Sequence, residues 1–185
     1  MSTVTTVTAH GLHAALPHPW EGRLYLRDQP GDTLAAPPRR LLASRAVRAQ
    51  HPAAYGNPGE SMNPVLHLAN FALPPGRGDF GTGAVETMGA RHVFASLLEY
   101  DAEEADRPLF AARGLPRLTV RDFAPNALQR RLPGQLGTQK FFTEHGRAFC
   151  LYVVLGSRQH APALVDEVHG VVSGVVVTPR KVDPR

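Results

Sequence analysis

The stretch FFTEHGRAFCLYVVLG, residues 141–156, constrains what this chain can fold into more than any other. Two runs rich in aromatic and β-branched residues flank His145-Gly146, and a Gly-containing dipeptide between such runs is the pattern of a tight two-residue hairpin. That turn sets Glu144 opposite Arg147, Phe142 opposite Phe149 and Phe141 opposite Cys150, with Glu144 and Arg147 as a cross-strand charge pair. The second run, AFCLYVVL, is apolar on both faces. A strand of that kind belongs in the middle of a sheet, with helices covering at least one side.

Other segments supply partners for it. In HPWEGRLYLRDQP, Leu24 and Leu26 alternate with Arg23, Tyr25 and Arg27, the period of a half-exposed strand opened by a Pro-Trp turn. PVLHLANFAL, 64–73, predicts a strand in which His67 shares a face with Val65, Ala69 and Phe71 as a packed residue. HVFASLLEYD, 92–101, predicts another, buried on both faces, and the Gly-rich connection between the two contains one helical turn, giving strand, crossover, strand. Further on, LTV predicts a short strand, and APNALQRRL a short helix with Pro125 in its first turn and Phe123, Leu128 and Leu132 facing inward. In APALVDEVHGVVSGVVVTP, residues Leu164, Val165, Val168, Val171, Val172 and Val175 recur at helical spacing, Gly174 is a stop, and VVVT is a last short strand or a cap.

A chain of 185 residues is long enough to bury one core without staples. The expected organisation is a flexible N-terminal tail over 1–16, a single α+β domain over 17–178 with a mostly antiparallel sheet, and a frayed tail over 179–185. The 17 Pro and 17 Gly predict much loop, and they punctuate residues 30–63 most heavily. That stretch reads as an insertion, in which RRLLASRAVRAQ could turn helical but offers only a weak apolar face.

One cysteine excludes an intrachain disulfide framework, and nothing beside it has zinc-ligand spacing. The N-terminus lacks a basic region followed by an apolar run, and no segment approaches the roughly 20 apolar residues a spanning helix needs. Both features point to the cytoplasm and away from a membrane. The formal charge is +4, carried by 18 Arg and 2 Lys. Its placement is uneven: Glu99, Asp101, Glu103, Glu104 and Asp106 form an acidic run, and 107–131 then carries six Arg against Asp122. An Arg-rich loop beside an acidic run repels phosphate as much as it attracts it, which argues against nucleic acid.

The motifs of familiar chemistry are missing. Cys150 lies in a run of Phe, Leu, Tyr and Val, where a thiol packs and does not ionise. Glu144-His145 sits on an exposed turn with no pocket. The nine His contain no H-E-x-x-H or H-x-H, and GRGDFGTGAVE has neither the terminal Gly-Lys-Ser/Thr of a phosphate loop nor the spacing of a dinucleotide fingerprint. No metal, cofactor or catalytic set follows. The polar feature that stands out is the end of the 92–101 strand, where Glu99, Tyr100 and Asp101 are followed by Arg107; ligand sites gather at strand ends.

At VFASLLEYD, LFAARGLPRL, DFAPNALQRRLPGQLGTQKFF and HGRAFCLYVVLGS the chain resembles a group of uncharacterised actinobacterial proteins, over roughly 64–178 and the patch around Trp20. The order of elements is also similar in topology to the Mog1/PsbP-like α-β-α sandwich. That resemblance implies an accessory or binding module and carries no catalytic residue across. The expectation is therefore a non-catalytic module for a protein partner. The alternative is an enzyme on small polar substrates using Glu99, Asp101 and Arg107.

Overall fold

The computed structural model describes residues 4–27 and 63–179, so the 30–63 insertion, apart from Asn63, and the tail beyond Pro179 lie outside the described residues. The helix candidate in RRLLASRAVRAQ falls there too. The predicted hairpin is present in the predicted register: β6 (Leu136–Glu144) pairs with β7 (Arg147–Leu155), with Phe142 opposite Phe149, Phe141 opposite Cys150 and Glu144 opposite Arg147. His145 and Gly146 both have positive φ, 49° and 75°, as a primed two-residue turn requires. Every residue of β7 is buried, in keeping with its apolar faces.

The hairpin closes one edge of a five-stranded sheet. β3 (Glu21–Leu26), β4 (Pro64–Ala69) and β5 (Val93–Glu99) complete it in the order β3-β4-β5-β7-β6, and each neighbouring pair is antiparallel. Val65 faces Leu98 across an antiparallel ladder, so the expected strand, crossover, strand is corrected to two antiparallel neighbours. The connection between them is too rich in Pro and Gly to hold a crossover helix. It keeps a single 3-10 turn at Val85–Thr87 and folds back over the sheet it leaves.

The largest correction concerns the expected N-terminal tail. Residues 4–17 form a second hairpin, β1 (Val4–Ala9) and β2 (Leu12–Pro17), and β8 (Val176–Val177) adds to β2 to make a three-stranded sheet. Leu12, Ala14 and Leu16 are almost wholly buried. Burying a Leu completely is worth about 1.5–3 kcal/mol, which is what holds the hairpin down. In β3, Gly22 permits the close approach: a Cβ there would lie 2.6 Å from Leu16 Cδ1 and 2.8 Å from Val7 Cγ2.

The helix α1 (Ala161–Ser173) starts with Pro162 in its first turn and stops at Gly174, where the sequence places both signals. Its Leu164, Val165, Val168 and Val172 join Leu12, Leu16 and Val177 against Leu66, Leu68, Ala95, Leu151 and Val153 of the large sheet. Trp20 is buried beside this core and donates from Nε1 to Glu167 Oε1 at 2.9 Å. The protein is thus α+β and mostly sheet. Among the described residues it has one α-helix, on one face. The opposite face, with Val65, Ala69, Phe94, Leu98, Cys150, Tyr152 and Val154, is covered by connections and 3-10 turns where the sandwich resemblance implies a second helical layer. The short strand expected at LTV is extended chain entering a 3-10 turn, and the helix expected at APNALQRRL is a single 3-10 turn, Pro125–Ala127. Phe123 and Leu128 still point inward, because burial and not helix length decides their direction.

Candidate functional site

The residues singled out at the end of β5 go to separate partners. Glu99 is 1% exposed and forms a bidentate pair with Arg147, Nε to Oε1 at 3.0 Å and Nη2 to Oε2 at 2.5 Å. Arg147 spends its other three N–H groups on backbone carbonyls: Nη1 donates to Gly11 at 3.1 Å and Thr178 at 2.9 Å, and Nη2 to His10 at 3.0 Å. All five donors of the guanidinium are satisfied. Glu144 lies across from Arg147 in the predicted register and on the same face, but Arg147 reaches over to Glu99 on β5, and Glu144 meets the ring of His145 at 3.2 Å instead. The expected Glu144–Arg147 charge pair is therefore replaced by a buried one.

Tyr100, Asp101 and Arg107 lie beyond that clasp. The ring of Tyr100 packs against Phe110 and Phe141, with Arg27 5.5 Å above it, and burial raises its phenol well above the ordinary range. Asp101 is exposed and accepts from Asn63 Nδ2 at 2.6 Å, and Arg107 pairs with Glu104 at 3.2 Å. These contacts gather no shared cleft. Cys150 is fully buried, takes a contact from Gln139 Nε2 at 3.3 Å, and burial pushes its thiol up to about 12.

A polar cluster that the sequence did not single out as a unit occupies the loop-covered face. His67 Nδ1 accepts from Arg77 Nε at 3.1 Å, so its proton sits on Nε2 and is given to the Asp79 carbonyl at 3.0 Å. Ser96 Oγ donates to the same carbonyl at 2.6 Å, and Tyr25 donates to Asp79 Oδ1 at 3.1 Å. Arg27 Nε stands 3.5 Å from Asp79 Oδ2, an ion pair without a directed hydrogen bond. Burial above all, with Arg77 beside Nδ1, lowers His67 to about 4 against the pull of the Asp79 carbonyl. The cluster pins the 74–89 connection to the sheet, and its groups are occupied by one another. Arg77 and Asp79 thus have structural tasks.

Two features remain open among the described residues. One is the outer edge of β1. In a two-residue hairpin the pair flanking the turn is hydrogen-bonded, here Ala9 with Leu12, so the backbone groups of Val4, Thr6 and Thr8 point away from β2. The other is a cavity of about 290 Å³ over β7, lined by Phe80, Val85, Leu128, Gln129, Gln135 and Tyr152 among others. Among the described residues, no group of three or more His, Cys, Asp or Glu could hold a metal ion, and no helix is long and apolar enough to cross a membrane.

The chain matches no protein-family model, no curated protein and no solved structure, so a functional reading has to come from its own geometry.

Proposed function

We propose that this protein is a non-catalytic accessory module that receives an extended segment of a protein partner as an added strand beside β1. The observation that carries this reading is the character of that edge. Exposed edge strands invite pairing with other chains, and proteins normally blunt them with charges, Pro, bulges or a covering loop. β1, VTTVTA, has no charge, no Pro and no bulge in its six residues, with an unbroken register from Val4 opposite Pro17 to Ala9 opposite Leu12.

The other edges are protected. β3 carries Glu21 and Arg23; β6 carries Lys140 and Glu144 and is bridged at Thr143 by Arg113 and at Gly137 by Ala124; β8 has two residues. On the strand that forms the open edge, Val4 is 57% exposed and offers apolar contact to a side chain of an incoming strand. Main-chain hydrogen bonds would supply affinity and such side-chain contacts specificity. The accessory role agrees with what the Mog1/PsbP-like resemblance implies, and the single buried thiol is in keeping with the cytoplasm. Turnover by Glu99, Asp101 and Arg107 has less support, because Glu99 is engaged by Arg147, Asp101 by Asn63 and Arg107 by Glu104.

Thr6→Pro removes one outward N–H and leaves the ladder to β2 intact, a substitution that edge strands tolerate. Peptides selected for binding from a random library should lose at least about tenfold in affinity for this variant, equivalent to 1.4 kcal/mol, with the thermal midpoint little changed. Amide exchange should show protection appearing at Val4, Thr6 and Thr8 on binding. Peptides that bind both forms equally would refute the edge as the docking site, and a dimer lost on Thr6→Pro would make the partner strand a second copy of this chain.

A further inference from the structure

We infer that the cavity over β7 is a binding site for a small, flat, uncharged ring that carries a hydrogen-bond donor beside an acceptor, the chemistry of a cyclic amide or a nucleobase. This site is independent of the β1 edge and lies on the opposite, loop-covered face of the large sheet. Its floor is Tyr152 and Val154 of β7, and Phe80 stands edge-on to Tyr152 with centroids 5.4 Å apart. Val85 and Leu128 complete apolar walls that disfavour a charged guest.

Three polar groups in this wall point to the guest's chemistry. Gln135 is 6% exposed, and its Nε2 donates to the Val85 carbonyl at 2.8 Å. Because a carbonyl only accepts, the amide cannot turn over, and Oε1 is held as an acceptor. That oxygen is buried with no hydrogen-bond partner among the described residues, and so is Nε2 of Gln129, a donor. The Tyr152 hydroxyl accepts from the Gln129 backbone N–H at 3.0 Å and keeps its own proton to give. A buried polar atom left unpaired destabilises the fold, so a guest that pairs with both amides recovers a penalty already present.

Size and charge narrow the class. Cavities for drug-sized ligands run from about 300 to 1,000 Å³, so 290 Å³ suits one or two rings and excludes a nucleotide with its phosphates. At the exposed side, Glu86 and Arg130 face each other at 3.8 Å and offset one another, leaving no net charge to select an ion.

Two-dimensional NMR titration of the full chain with 2-pyridone tests this, with toluene and benzoate as controls lacking the donor–acceptor pair or carrying charge. The expected result is that 2-pyridone shifts the amides of Thr82, Val85, Gln129 and Gln135, and that Gln135→Leu weakens it at least tenfold. Should Gln135→Leu fail to fold, Gln129→Met, which alters a side chain on a turn, should weaken the same binding while the remaining spectrum reports an intact fold. Toluene or benzoate binding as tightly as 2-pyridone would overturn the inference. So would 2-pyridone binding that neither Gln variant changes, or an absence of shifts with every probe, which would make the cavity a hydrated hole.

Discussion

A single proton decides how His67 behaves. Its ring is neutral in the folded protein chiefly because the position is buried, with the Arg77 guanidinium beside Nδ1 acting in the same direction, which lowers it from 6.5 to about 4. In the unfolded chain the ring takes up a proton below pH 6.5, so between pH 6.5 and 4 the unfolded state binds more protons. Stability is therefore unaffected above pH 6.5, falls as pH drops through that window, and levels off below it. The loss amounts to roughly 3 kcal/mol. Urea unfolding at pH 7.5, 6 and 5, compared with a His67→Gln variant that lacks the titration, measures this directly. Parallel pH profiles in the two proteins would show that the ring is not held neutral.

At the scale of elements, the two hairpins use the same device and were not equally legible. AHGL at 9–12 and EHGR at 144–147 both place His-Gly in the turn, with φ of 51° and 73° in the first and 49° and 75° in the second. The second is flanked by Phe, Tyr and Val and announces itself. The first has strand-favouring Val and Thr on one side, but Ala, His and Pro among the residues that follow the turn favour strands little, so on that side its signal was the dipeptide and the alternation of Leu12, Ala14 and Leu16. Burial against β3 and α1 supplies what propensity does not. The two turns should answer differently to mutation. Gly146→Ala meets nothing within 4 Å and costs only the strain of a positive φ, about 1 kcal/mol. At Gly11 an added Cβ would lie 2.7 Å from Arg147 Nη1 and 2.8 Å from Thr178 Oγ1, so Gly11→Ala should cost distinctly more in chemical denaturation. Equal losses would mean that the guanidinium moves aside freely.

The whole molecule was legible in outline, as an α+β body with β5 and β7 buried at its centre and a C-terminal helix laid on the sheet. What pattern reading could not supply was pairing at a distance. Glu99 was visible as an acid at a strand end, and Arg147 as a turn-flanking base, but 48 residues separate them and no local period links them. The same holds for the two Gln side chains of the cavity, which in the sequence are ordinary polar residues between turns. Arg147 joins β5 to the turn of the β1-β2 hairpin and to the residue after β8, so it should bear on global stability. Arg147→Met removes the bidentate guanidinium from the buried Glu99 carboxylate and should cost about 3–5 kcal/mol. Adding Glu99→Leu should return most of it, because two well-packed apolar residues can replace a buried pair. A single variant as stable as wild type would show that the clasp contributes nothing.

That clasp also sets an order of events during synthesis. Gly11 and Thr178 are 167 residues apart, and at 5–20 residues per second about 10–30 s pass between the making of one and the other. For most of that interval the β1-β2 hairpin lacks both β8 and the guanidinium that fixes its turn, since Arg147 is made 136 residues after Gly11, and its uncharged strand leaves the ribosome before either is made. The nascent chain thus offers that strand to passing chaperones, or to a partner, before the domain that will carry it exists.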